Sequence, residues 1–176
     1  TLSDNTATNA LIDFLGGTFE VNVAFYELGY IKSHLRSWVG GYDDDPNIDN
    51  YIPSPYLSTQ NGISIVNPLE YQECIRQIVK HPTGYKILTQ QQDKRSLART
   101  DYGYKFSHKT GTANGIRHDG GILYLPEGKL EVYCFTDGES REESIDDTAC
   151  VNMSQTIDDT IYLILQNTTK RHLYNI

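Results

Sequence analysis

Residues 104–136, YKFSHKTGTANGIRHDGGILYLPEGKLEVYCFT, decide the fold class. Tyr104, Phe106 and His108 alternate with Lys105, Ser107 and Lys109, the period-two spacing of a strand with two unlike faces. Ile116–Leu125 and Leu130–Thr136 read as two further strands, joined by the turn Pro126-Glu127-Gly128-Lys129. Downstream, Met153, Ile157, Ile161, Ile164 and Leu165 fall on one stripe of a helix. Residues 101–176 are therefore expected to form an antiparallel sheet backed by a C-terminal helix.

Upstream the period is different. Thr6 to Leu15 places Ala7, Ala10, Leu11, Phe14 and Leu15 at helical spacing, and Gly16-Gly17 stops the helix. Val21 to Leu28 reads as a second short helix closed by Gly29. Residues 39–66 hold three prolines and the glycine pair Gly40-Gly41 with little periodicity and read as a long loop, a length often tied to function. Asn67-Pro68-x-Glu70 is a start signal: Asn67 as cap, Pro68 at the first helical position, Glu70 closing a capping box. That helix carries Cys74, Ile75, Ile78 and Val79 and ends before Pro82. Residues 1–100 form a helical lobe on this reading, and the class is α+β.

Composition narrows the function. The chain has 176 residues, enough for one ordinary domain, and its 38% apolar share supports a packed core. A net charge of −8 argues against a nucleic-acid partner. No like-charge run exceeds Asp43-Asp44-Asp45, and the apolar stretches fall far short of a membrane span. Cys74, Cys134 and Cys150 lie in or near apolar sequence without CxxC spacing, which favours buried free thiols over one disulfide with a thiol left over. Five histidines (34, 81, 108, 118 and 172) show no metal spacing, and the aspartate cluster with Asp49 lacks the spacing and glycine of a calcium loop. No metal or cofactor is expected.

Two short motifs carry the chemistry. Ser3-Asp4-Asn5 stands at the entrance of the first helix, and Lys109-Thr110-Gly111-Thr112 lies in a strand. Each alone fits a capping sequence or a strand edge with a bulge. Together, in this order and this far apart, they resemble the class A β-lactamase and penicillin-binding serine hydrolase family, whose signature joins S-x-x-K with S-D-N and K-T-G. The flanks SDNTATNALIDFLGG and HKTGTANGIRHDGGILYLPEGKLEVYCFTDG carry the likeness further, and it spans essentially the whole chain.

The resemblance implies a β-lactamase/D,D-peptidase-like fold and a set of roles. Lys109 and Thr110 would hold a substrate carboxylate, and Gly111 would let the substrate lie against the strand. The backbone N–H of Thr112 would be one oxyanion-hole donor, and Ser3 would relay a proton to the departing amine. Asn5 would hold the acylamide side chain, Asp4 would anchor the loop by capping, and Arg117 would assist with the carboxylate or make a surface ion pair. The substrate implied is a β-lactam or a D-Ala-D-Ala-like peptide.

Part of the family pattern is absent. No serine in the chain has a lysine three residues on; Ser33 has Arg36 there, and a guanidinium cannot act as the base. The chain starts at Thr1, directly at a motif, so an upstream segment with the S-x-x-K helix and two strands is expected to be missing, and the chain alone is expected to be inactive. The stretch WVGGYDDDPNIDNYIPSPY contains no glutamate; Asp45, before Pro46, is the candidate deacylation base, with a solvated acidic loop as the plainer reading. The alternatives to a β-lactamase are a D,D-peptidase-like penicillin-binding protein that deacylates slowly, or a non-catalytic binding module of the same fold. The family implies an extracytoplasmic location. A missing segment would expose a sheet edge and an apolar groove, so association with the N-terminal part or with another copy is expected.

Overall fold

The computed structural model describes residues 3–36, 38–39, 64–92, 97, 103–113, 116–126, 128–135 and 147–174. Five helices and three strands are seen among them: α1 (Asn5–Phe14), α2 (Thr18–Glu27), α3 (Pro68–Ile78), α4 (Pro82–Thr89), β1 (Lys105–Ala113), β2 (Ile116–Leu125), β3 (Gly128–Cys134) and α5 (Asp147–Tyr174). The chain forms two compact units, one over Ser3–Glu73 and one over Cys74–Ile176. The class is α+β.

In the first unit, α1 and α2 are separated by Gly16 and Gly17, at φ 101° and 99°. Two asparagines tie the following segment to these helices. Asn9 Nδ2 donates to the Val39 carbonyl at 3.0 Å while its Oδ1 accepts from Val39 N–H at 2.8 Å. Asn22 does the same to Leu35, with both bonds at 2.8 Å. A carboxamide carries the same donor and acceptor as a peptide unit, so each asparagine stands in for a strand neighbour. His34 and Ile65 exchange a pair of backbone hydrogen bonds at 2.9 Å, and Arg36 N–H donates to Ser64 Oγ at 3.1 Å. Most of the expected loop over 39–66 lies outside the described residues.

The start of α3 departs from the expected capping box. Asn67 Oδ1 accepts from Leu69 and Glu70 N–H at 3.1 and 3.3 Å, as a cap should. Glu70, however, does not return to Asn67. Its carboxylate accepts from Lys32 N–H at 2.9 and 3.2 Å, and Asn67 N–H donates to Ser33 Oγ at 2.9 Å instead. The tertiary partners outcompete the local one, and the reciprocal bond becomes a link to residues 32–33. Pro82 also does more than end a helix. It opens α4, with His81 Nδ1 accepting from Thr83 N–H at 3.3 Å as the cap.

In the second unit the sheet order is β1-β2-β3, antiparallel throughout. Phe106, Leu123 and Leu130 form one cross-strand row. Leu123 is buried with Ile161 and Leu165 of α5, and Phe106, Leu125, Leu130, Val132 and Ile157 pack around them. Side chains alternate across a strand, so Phe106, His108 and Thr110 share the α5 face. The opposite face receives α4, where Tyr85 meets Tyr124 edge-on with ring centroids 5.2 Å apart. Gly121, the partner of His108, is a glycine for a steric reason: a Cβ there would stand 2.0 Å from the Ser107 carbonyl oxygen. Cys74 is half-buried and Cys134 buried, and neither is in a disulfide.

Candidate active site

Asp4 is the N-cap of α1. Its side chain accepts from Ala7 N–H at 2.8 Å, and its carbonyl accepts from Thr8 N–H at 3.1 Å and the Thr8 hydroxyl at 2.9 Å. A cap of this kind contributes about 1 kcal/mol. Asn5 is the first helical residue, and Ser3 precedes the cap with φ 54°, in the left-handed region. A non-glycine residue held there costs roughly 1–3 kcal/mol, strain of the kind that gathers at functional sites. All three residues are exposed.

The strand motif lies in the second unit. Among the described residues β1 pairs as a strand only with β2, which puts it at one edge of the described sheet. Lys109 and Gly111 share one face, and Thr110 points to the other. The Lys109 ammonium is part-buried and donates to the Thr110 carbonyl. At Gly111 a Cβ would meet, among the described residues, only His118 Cβ, at 3.9 Å, an ordinary contact. The described packing therefore does not explain that glycine as it explains Gly121. Thr112 and Arg117 are cross-strand partners. Asp45 lies outside the described residues.

Beneath the motif runs a buried polar network that sequence reasoning had not joined together. His108 Nδ1 is 2.9 Å from Asp119 Oδ1, and Leu97 N–H donates to Asp119 Oδ2 at 2.9 Å. The His108 ring also stacks on Phe106, centroids 4.4 Å apart and planes within 4°. Gln91 Nε2 donates to the Thr110 hydroxyl at 3.4 Å. Asp119 is the cross-strand partner of Thr110, so the strand register alone brings His108, Thr110 and Asp119 onto one face. Residues 91 and 97 are thereby attached to the sheet directly beside Lys109 and Thr110. Among the described residues no group of three or more His, Cys, Asp or Glu side chains is placed to hold a metal ion.

Comparison with known proteins points one way. The model of a family described as "Beta-lactamase enzyme family" matches residues 1–161. No curated protein sequence matches the chain. Among solved structures, a β-lactamase from Sphaerobacter thermophilus is 26% identical with a TM-score of 0.64, covering 89% of this chain and 56% of that one. A class A β-lactamase representative from Bacteroides cellulosilyticus is 25% identical with a TM-score of 0.57, covering 90% and 59%. The structure of PBP-A gives a TM-score of 0.66 at 20% identity, covering 95% and 58%, a likeness of fold. The chain thus spans less than two thirds of the length of the structures it matches.

Proposed function

Because the chain belongs to the β-lactamase enzyme family, we propose that it supplies the carboxylate-binding side of a class A-type serine acyl-transfer site acting on β-lactam amide bonds. The observation that carries this reading is Gly111: it lies on an edge strand of the described sheet between Thr110 and Thr112, and among the described residues no close contact requires a glycine there. A bare backbone at a sheet edge suits a substrate that approaches as an added strand.

In this reading Lys109 and Thr110 bind the substrate carboxylate, with Arg117 assisting. The Thr112 N–H is one of two donors that stabilise the oxyanion formed when the amide carbonyl is attacked. The Ser3 hydroxyl passes a proton to the nitrogen that leaves, and Asn5 binds the acylamide side chain. Asp4 holds this pair at the helix start. The nucleophilic serine and its lysine are supplied from outside these 176 residues, since no Ser-x-x-Lys occurs within them.

A second reading, a D,D-peptidase-like penicillin-binding protein, is favoured by one feature. Residues 38–56 contain no glutamate, and Asp45 is one methylene shorter than the base it would replace. An acyl-enzyme without an effective base would persist. A chromogenic cephalosporin mixed with the protein carrying its Ser-x-x-Lys segment separates the two. Multiple turnover supports a β-lactamase, and one burst with a stable adduct supports a penicillin-binding protein. The 176-residue chain alone should give neither; turnover by it would defeat the assignment of the nucleophile.

Leu11, Phe14, Tyr26, Leu28 and Ile31 of the first unit are exposed, Phe14 by 85%. We place the rest of the protein, or a second copy of this chain, against these residues, in an extracytoplasmic setting like that of the family. A monodisperse monomer at micromolar concentration in light scattering would argue against this covering.

A further inference from the structure

The Thr110 hydroxyl is not free to turn as it pleases. Gln91 and Thr110 are both buried, 5% and 6% exposed. Gln91 Nε2 faces Thr110 Oγ1 at 3.4 Å, while Gln91 Oε1 faces Gln92 N–H at 3.1 Å. A backbone N–H can only donate, so the amide atom opposite it must be the oxygen. That contact fixes which end of the carboxamide is which. The atom opposite Thr110 is then the NH2 group, which donates and has no lone pair to offer. Thr110 Oγ1 must accept there, and its own proton has to be directed elsewhere. Lys109, the neighbouring residue, turns its ammonium to the Thr110 carbonyl, so positive charge is held at the same stretch of β1.

We propose that Gln91 is a positioning residue for anion recognition: it holds the Thr110 hydroxyl as a hydrogen-bond donor aimed at a ligand carboxylate. This rests on the reading of Thr110 as a carboxylate-binding residue. A free hydroxyl presents a lone pair or a proton to a ligand with little preference. One that already accepts from a fixed amide presents the proton, which is the form a carboxylate needs. Gln91→Glu reverses the arrangement. A carboxylate at 91 still accepts from Gln92 N–H, but toward Thr110 it accepts instead of donating. It draws the hydroxyl proton away from the ligand and adds a negative charge beside it. Gln91→Met keeps the length, removes the donor and leaves the hydroxyl free.

The protein carrying its Ser-x-x-Lys segment, with that serine replaced by alanine so that no ligand is acylated, is isotopically labelled on threonine methyl groups and titrated with benzylpenicillin and with its methyl ester. Wild type should bind the acid more tightly than the ester, with the Thr110 methyl signal shifting. Gln91→Met should weaken acid binding several-fold and Gln91→Glu by about tenfold or more, the size of a lost hydrogen bond to a charged group. Ester binding should be the same in all three. Acid binding unchanged in both variants, with backbone spectra that overlay on wild type, would overturn the proposal. A wild type that does not distinguish acid from ester would defeat the carboxylate reading itself. Neutron diffraction gives an answer that needs no ligand: the Thr110 deuteron should point away from Gln91, and a deuteron on the line to Gln91 overturns the proposal whatever the titration shows.

Discussion

His108 Nδ1 and Asp119 Oδ1 lie 2.9 Å apart, and the two side chains are only 3% and 1% exposed. An Asp119 carboxylate can only accept, so in this pairing the proton sits on Nδ1 of His108. Its second oxygen is taken by Leu97 N–H. The network therefore leaves neither oxygen of the buried carboxylate unmatched, which is the condition under which such a group is tolerated. Asp119→Asn keeps shape but either turns an NH2 group toward a donor or forces the His108 ring into the tautomer whose Nδ1 accepts. We expect it to destabilise the chain by about 1–3 kcal/mol, read as a lower urea midpoint with an unchanged m-value. A midpoint equal to wild type would show that the pairing contributes nothing.

Arg76 and Glu131 provide the contrast. Arg76 Nε lies 2.9 Å from Glu131 Oε1, a distance no longer than the buried pair, yet the side chains are substantially exposed. Water screens the attraction, and two flexible side chains must be ordered to gain it. Arg76→Ala should cost less than about 1 kcal/mol, and the cost should shrink in high salt. Urea unfolding at low and high salt checks both statements, and a salt-independent loss larger than that of Asp119→Asn would contradict the ranking.

Gly121→Ala tests how closely the first two strands approach. The added Cβ would stand 2.0 Å from the Ser107 carbonyl oxygen and 2.6 Å from His108 Cα, backbone atoms that cannot swing aside. The hairpin must open, at a cost of about 1–3 kcal/mol or more. The same change at Gly111 meets only a 3.9 Å contact and should be near neutral for stability. Parallel thermal unfolding of the two variants decides it; equal losses would mean that Gly111 is also a folding residue.

How much of this was legible beforehand follows from which forces are local. The period-two alternation around Phe106 and the helical stripe through Ile157, Ile161 and Leu165 gave the sheet and its backing helix, because burial on one face writes itself into spacing. β3 begins at Gly128, earlier than expected, because Leu125 and Gly128 already pair across Pro126 and Glu127. α4 was missed because Pro82 reads equally as a stop or as a first helical residue. Glu70 misled because a capping box and a tertiary contact to Lys32 use the same side chain. At the candidate site, the Lys109 motif was visible by type and order. The pairing of Thr110 with Asp119 needed the register, for which Asn114-Gly115 offers a two-residue hairpin signal. Gln91 carried no signal at all, since its role depends on a hydrogen bond to a residue 19 positions away.

The first unit offers a test that does not depend on the active site. Asn22 meets both the N–H and the carbonyl of Leu35, each at 2.8 Å, and the residue is buried. Asn22→Ala removes both bonds and leaves two backbone groups without their partner, which should cost about 2–3 kcal/mol. Asn22→Asp keeps the acceptor for Leu35 N–H but sets a negative oxygen against the Leu35 carbonyl. If the clamp works as a peptide mimic, the aspartate variant should rescue little of the loss, even though it differs from asparagine by a single group. Hydrogen exchange at Leu35 gives the local readout: faster in both variants, with His34 following because its own N–H is paired to Ile65. An aspartate variant as stable as wild type would mean that the donor half of the clamp carries no weight.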